Sequence, residues 1–162
     1  PVVVYNIPGR CAVNILPETL ARIAKLKNIV AVKEAAGSLE QVAQIKTLCD
    51  IAILSGDDSL TLPMMSVGGV GVISVAANVV PKVIVDLCSA WRKGDTKRAQ
   101  GLHLRYFELF KTLFIETNPV PTKVALKLMG KLTSAEVRLP LCEMTPASVE
   151  KLEKVLKTYE LV

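Results

Sequence analysis

The run Ile29-Val-Ala-Val-Lys33-Glu-Ala-Ala-Gly37 places a lysine at the end of an apolar stretch, just before a turn of small residues. A short segment rich in Val and Ile, bounded by turn residues, reads as a strand buried on both faces of a parallel sheet. Lysine is rarely buried. An amine held at such a strand end can attack a carbonyl and form a Schiff base. The plain alternative is that Lys33 ends the strand and snorkels to solvent. Other segment ends carry Tyr5-Asn6, Ser55-Gly56-Asp57-Asp58, and Ser74 followed by Ala76-Ala77-Asn78, and Arg10 lies in the stretch after Asn6. Each has its own dull explanation: a strand aromatic, a turn and helix cap, a surface charge. Gathered on one side of a sheet, they make a carbonyl-condensing site, with Lys33 as nucleophile, Tyr5 as acid and base, and Arg10 for a carboxylate.

The elements that must position these residues follow from the rhythm of the chain. Short apolar runs occur at Val2 to Tyr5, Ile29 to Lys33, Ile51 to Ser55 and Val70 to Ser74. Helical periodicity fills the intervals. Pro17 suits the first turn of one helix, ahead of Leu20, Ile23 and Ala24. Ser38 and Gln41 form a capping box for the next. Asp58-Ser59 opens a third, and Pro81 to Arg92 is a fourth, stopped at Gly94. This alternation is the mark of parallel βα units with right-handed crossovers. From Asp95 onward the pattern is helical only: Asp95 to Phe114, Val120 to Met129 and Pro146 to Tyr159, with Leu139-Pro140-Leu141 as an extended linker. The expected organisation is therefore an α/β region over residues 1–94 and a helical region over 95–162. An open nucleotide-binding sheet would want G-x-G-x-x-G after its first strand, and Asn6-Ile-Pro-Gly-Arg10 lacks it. Gly68, Gly69 and Gly71 precede a strand, so they read as a tight turn rather than a phosphate loop. Part of a (β/α)₈ barrel is the stronger reading.

Bulk properties exclude several classes. The 162 residues are 51% hydrophobic, too apolar for a disordered chain. The net charge of +5 is spread along the chain, and aromatics are only 4%, so no nucleic-acid surface is expected. Cys11, Cys49, Cys88 and Cys142 show no C-x-x-C spacing and are expected to be reduced, partly buried thiols of a cytosolic protein. His103, the single histidine, is expected at a surface or boundary rather than on a metal. The uncharged stretch from Ser59 to Pro81 is long enough to cross a membrane, but Pro63, Gly68, Gly69, Gly71 and Asn78 break it. No membrane span is expected, and no signal peptide, since the sequence opens directly on a strand.

The motifs Tyr5-Asn-Ile-Pro-Gly-Arg10, Val32-Lys33-Glu-Ala-Ala-Gly37, Leu54-Ser-Gly-Asp-Asp58, Gly71-Val-Ile-Ser-Val75 and Asn118-Pro-Val-Pro-Thr-Lys123 stand in the order and spacing of the dihydrodipicolinate synthase family. The chain resembles that family from residue 1 through Arg138-Leu-Pro140. The family belongs to the pyruvate-dependent class I aldolase superfamily, which includes N-acetylneuraminate lyase. The resemblance implies condensation of pyruvate with aspartate 4-semialdehyde on the route to diaminopimelate and lysine. It casts Lys33 as the imine-forming residue, Tyr5 as proton shuttle and Arg10 as the holder of the semialdehyde carboxylate. It places the backbone carbonyl of Ile73 near the lysine. It implies no metal or organic cofactor, a cytoplasmic location and a homotetramer. Arg10 favours this activity over that of the neuraminate lyase. A sister aldolase acting on keto-deoxy sugar acids is the nearest alternative. The loop reads Arg10-Cys11-Ala12 where Arg-Thr-Gly is common in the family.

The family fold has eight strands, and the four seen here resemble the fifth to eighth. The expectation is thus the C-terminal half of a (β/α)₈ barrel followed by a C-terminal helical extension. Such a chain would lack the threonine-bearing loop of the proton relay, the tyrosine from a neighbouring subunit and the lysine-feedback site. It is then expected to be part of a longer enzyme, or a half-barrel that assembles without activity of its own.

Overall fold

A computed structural model describes all of residues 1–162, which fall into two compact units. Residues 1–74 with 91–94 form the first, and residues 75–90 with 95–162 form the second. The division differs from the expected boundary after Gly94 by assigning most of the fourth helix to the second unit.

The first unit is built on strands β1 (Val2–Asn6), β2 (Ile29–Glu34), β3 (Ala52–Ser55) and β4 (Gly71–Val72). Between them lie the single turn α1 (Pro8–Cys11), α2 (Pro17–Ile23), α3 (Leu39–Leu48), a 3₁₀ turn at Asp58–Leu60, and α4 (Thr61–Ser66). All strand pairs are parallel, and the order is β1-β2-β3-β4. Sequential order with right-handed crossovers puts every connecting helix on the same face, whereas a doubly wound sheet would reverse at a switch point. The four expected βα units are present as a parallel four-stranded α/β sheet, with β1 and β4 as its edges.

The helix-covered face carries the core. Leu20, Val32, Val42, Ile45, Ile51, Ile53 and Met64 pack together, with Val4 and Ile15 against them. Side chains alternate along a strand, so Val4 and Val32 fix the opposite facing of Tyr5 and Lys33. α2 begins with Pro17 in its first turn, as its sequence predicts. α3 is capped by Ser38, whose Oγ accepts from the Gln41 N–H at 3.1 Å. The third α-helix starts at Thr61, after a 3₁₀ turn that opens at Asp58, whose buried carboxylate accepts from the Ser74 hydroxyl. The glycines after α4 do form a tight turn. A Cβ on Gly69 would stand 2.9 Å from the Met64 carbonyl oxygen, so only glycine fits there without a shift.

The stretch from Ser59 to Pro81 contains α4, β4 and a 3₁₀ turn at Ala76–Asn78. No helix of the chain is long and apolar enough to cross a membrane.

The second unit contains most of α5 (Pro81–Arg92), together with α6 (Thr96–Thr112), α7 (Val120–Leu128) and α8 (Pro146–Thr158). Asp95 caps α6 by accepting from the Arg98 N–H at 3.1 Å. Thr145 caps α8, and its own N–H and hydroxyl donate to Glu116 at 3.0 and 2.9 Å. Leu109, Phe110, Leu113, Leu152 and Leu156 are buried here, and the Tyr159 hydroxyl ties α8 to the Arg105 carbonyl at 2.7 Å. The expected extended linker at Leu139-Pro140-Leu141 contains a turn, closed by the Leu141 N–H on the Arg138 carbonyl at 3.0 Å.

Two expectations about individual side chains change. Cys11 and Cys142 are exposed rather than partly buried, because each sits on an irregular or single-turn segment; all four cysteines are free thiols. His103 is buried on α6 rather than at a boundary, with Phe107 and Phe110 around its ring and its Nδ1 without a partner. Ala99 and Phe110, buried one and two turns away on the same helix, form the inward stripe that carries it inside.

Burial holds the His103 pKa below the ordinary 6.5. The unfolded chain therefore takes up the proton first. The stabilisation from neutral His103 is complete above the ordinary value and is lost as pH falls through the folded one. Thermal melts should shift to lower temperature as pH falls below 6.5, and His103→Leu should flatten that part of the profile.

Candidate active site

Tyr5 and Lys33 are register partners across the β1–β2 ladder, near the carboxyl ends of both strands. Both point away from the helix-covered face. The Lys33 Nζ lies 4.2 Å from the centre of the Tyr5 ring. A cation over a tyrosine face at a partly exposed site is worth ~0.5–1 kcal/mol, enough to bias the lysine rotamer toward the phenol side. Tyr5 is 45% exposed and Lys33 is half-buried, so the pair is reachable from solvent. The structure thus brings together the two residues expected to serve as nucleophile and acid-base group.

The other expected residues are placed less closely. Arg10 is exposed on α1, the turn that follows β1. That turn ends at Ala12 in the left-handed region, φ 55°, where the expected motif carries glycine. Ile73 follows β4, and its N–H donates to the Ser55 carbonyl at 2.9 Å. β3 stands between β4 and β2, so Ile73 shares the carboxyl end of the sheet with Lys33 without pairing to its strand.

Sequence reasoning missed two features. The first lies on the opposite face of the same strand ends. Asn6 and Glu34 are also register partners, and both are buried, Glu34 to 1% exposure. The Glu34 carboxylate accepts from Asn6 Nδ2 at 3.1 and 3.0 Å, from the Ala36 N–H at 2.7 Å and from Gln41 Nε2 at 3.2 Å. Asn6 Nδ2 also donates to Asn14 Oδ1 at 2.8 Å, and Asn6 Oδ1 accepts from the Ile15 N–H at 3.0 Å. Asn14 and Gln41 exchange a further pair of hydrogen bonds at 2.8 and 3.2 Å. Gln41 therefore does not close the expected capping box with its side chain. It reaches the carboxylate instead, because a buried charge has the stronger claim on a donor. A signal was available: polar residues at positions that alternation directs toward the core.

The second is Gly56. Its N–H donates to the Glu34 carbonyl at 2.7 Å. A Cβ there would meet the Ala35 Cβ at 2.5 Å and the Lys33 Cε at 3.3 Å. Ser55 shapes this approach: its hydroxyl donates to the Asp57 carbonyl at 2.7 Å and accepts from the Asp57 N–H at 3.1 Å. The close turn lets the end of β3 lie against the lysine stem. In the sequence, Gly56 reads only as turn chemistry.

The profile of the dihydrodipicolinate synthetase family matches residues 1–159. A curated protein of Geobacter metallireducens, named 4-hydroxy-tetrahydrodipicolinate synthase, is 53% identical over 164 residues, covering 100% of this chain and 56% of that protein. The crystal structure of dihydrodipicolinate synthase from Aquifex aeolicus has a TM-score of 0.96 at 46% identity, over 99% of this chain and 56% of that one. A chloride-inhibited dihydrodipicolinate synthase from Acinetobacter baumannii, complexed with pyruvate, has a TM-score of 0.94 at 35% identity, over 100% of this chain and 56% of that one. The chain thus spans about half the length of the curated relatives it matches. A shared fraction of length does not assign these strands to one end of a relative. The expectation of a C-terminal half is therefore withdrawn; what stands is a four-stranded parallel α/β sheet in a chain whose fold matches part of these neighbours.

Gly56→Ala should be costly for its size. The nearest atoms are another Cβ and a backbone oxygen, so the strand end must shift, at about 1–3 kcal/mol. A denaturant midpoint lowered with an unchanged slope is the expected result, and no loss of stability would contradict the close approach.

Proposed function

The chain belongs to the dihydrodipicolinate synthetase family, and on that premise we propose that it carries the Schiff-base machinery of an aldolase-type lyase. The substrates of this reading are pyruvate and aspartate 4-semialdehyde, and the product is 4-hydroxy-tetrahydrodipicolinate, on the route to diaminopimelate and lysine. Lys33 Nζ attacks the ketone carbon of pyruvate, and loss of water leaves an imine. A proton then leaves the adjacent methyl carbon to give an enamine. The enamine carbon adds to the aldehyde carbon, the resulting alkoxide takes a proton, and the lysine imine re-forms. The amino group of the semialdehyde then attacks that imine carbon, closes the ring and expels the Lys33 amine, which frees the cyclic product. Tyr5 moves the protons, Arg10 holds the carboxylate of the semialdehyde, and the Ile73 carbonyl helps to set the lysine. The iminium accepts the electron pair when the methyl carbon loses its proton, so the sequence of steps calls for no metal or organic cofactor.

The observation that carries this reading is the Tyr5–Lys33 pair, an amine 4.2 Å from a phenol ring at the open end of a parallel sheet. A phenol beside the amine supplies the acid and base that imine formation needs. The pyruvate in the A. baumannii structure supports the choice of ketone. Assembly into a homotetramer belongs to the same reading, and sedimentation of the chain reports it.

Incubation with pyruvate and reduction by borohydride should add the reduced pyruvyl mass to the peptide containing Lys33. Lys33→Ala should abolish the label, and Tyr5→Phe should slow it about 100-fold, the usual scale of acid-base assistance. An unlabelled but folded wild-type chain would sink independent chemistry. Faster turnover of a keto-deoxy sugar acid than of aspartate semialdehyde would transfer the assignment to a sister aldolase.

A further inference from the structure

We infer that Glu34, Asn6, Gln41 and Asn14 form a positioning clamp that sets Lys33 and the Arg10 loop together. The inference deepens the proposed condensation, and the role it gives Arg10 rests on that reading. Glu34 and Asn6 are the chain neighbours of Lys33 and Tyr5, one residue further along paired strands. Fixing the carboxylate and amide on the buried face fixes the backbone that presents the amine and the phenol on the other. The clamp also closes the neck of the loop that carries Arg10. Asn6 opens that loop, and its side-chain carbonyl accepts from the Ile15 N–H at 3.0 Å where the loop ends. Its amide donates to Asn14 at 2.8 Å, and Asn14 in turn is held by Gln41 from the start of α3. Residues 7–13 thus form a loop whose two ends meet in one hydrogen-bonded cluster.

The chemistry of the cluster suits a positioning role. Every partner of Glu34 is a donor: one side-chain amide from β1, one from α3 and one backbone N–H from its own turn. A carboxylate is the group that can accept from all three at once. Glutamine at position 34 would set an NH₂ against at least one donor, so it breaks the clamp with little change of volume. Removing the Asn14 side chain frees only the loop end and leaves the Glu34 contacts from Asn6, Ala36 and Gln41 in place. Misplacement of a reacting group by about 1 Å costs on the order of 100-fold in rate, so a loose clamp should be visible in kinetics.

The test uses the whole chain with Asn14→Ala and Glu34→Gln, and it has two arms. In hydrogen exchange, the Ile15 amide should exchange about tenfold faster in both variants, while the amides of β2 and β3 keep their protection. In kinetics, Asn14→Ala should raise KM for aspartate semialdehyde by about tenfold more than it slows borohydride trapping of pyruvate, because it releases the Arg10 loop and not the lysine strand. Glu34→Gln should slow both. A structural defect without positioning would impair both in proportion in Asn14→Ala. If wild-type chain traps no pyruvate, the condensation reading falls, and the exchange arm still judges the clamp. If Glu34→Gln fails to fold, Asn14→Ala decides. Unchanged Ile15 exchange in folded Asn14→Ala overturns the inference.

Discussion

A carboxylate that is 1% exposed cannot be left to itself. Removing an ionised group from water costs several kcal/mol even after relaxation, and the cost is recovered only when donors surround it. Glu34 meets this condition through Asn6 on β1, Gln41 on α3 and the backbone of its own turn. Those elements are therefore not independent. β1 must lie beside β2 in a register that brings Asn6 opposite Glu34, and α3 must start where Gln41 can reach back. The Ser38 cap serves this arrangement, since it fixes the Gln41 backbone at 3.1 Å and leaves the side chain available.

Parity carries the same constraint to the reactive face. Successive side chains of a strand point to opposite sides, and a slip of one residue exchanges the two sets. With Asn6 and Glu34 committed to the buried side, Tyr5 and Lys33 must face the other way. A slipped register would bury Lys33 against Ile45 and Ile53, where no acceptor waits, and would leave the donors now spent on Glu34 without their carboxylate. Gly56 adds the third dimension. Its N–H joins the carbonyl of Glu34, and its missing side chain lets β3 approach the Lys33 stem. Backbone and side chain of one glutamate thus organise three adjacent strand ends.

What could be read from the sequence was local. Strand cores announce themselves because Val, Ile and Ala crowd into short runs, and Pro17, Ser38 and Asp95 mark helix starts by chemistry that acts within a turn. The Lys33 and Tyr5 strand ends were legible for the same reason. Glu34 was not, because its side-chain partners Asn6 and Gln41 lie 28 and 7 positions away on other elements, and nothing in a linear pattern pairs them. Gln41 misled for a physical reason: the capping-box pattern is real, but a buried carboxylate outcompetes an exposed N–H for its amide. β4 shortened to two residues because Gly71 and Val72 alone complete the ladder to Leu54 and Ser55, where the apolar run suggested a longer strand. His103 misled because a single polar residue gives no sign of its helix face until the neighbouring apolar stripe is placed.

A buried ionic cluster is not the cheapest way to join two strands and a helix. Apolar side chains of equal volume often stabilise as well or better. They lack direction, however, and pack acceptably over a range of small displacements. Hydrogen bonds to a carboxylate weaken steeply as angle and distance depart from their optimum, so they select a single relative placement. The first unit uses both kinds of contact on the same helix-covered face of the sheet. Val4, Val32 and Ile53 supply most of the burial along the middle of the strands, and the Glu34 cluster occupies only the carboxyl end. Stability is drawn where position is unimportant, and directional bonding is concentrated within one residue of the amine and the phenol. A sheet that needed only to fold would gain by continuing the apolar pattern through positions 6 and 34. One whose strand ends must hold an amine, a phenol and a guanidinium loop in fixed relation gains from the charge.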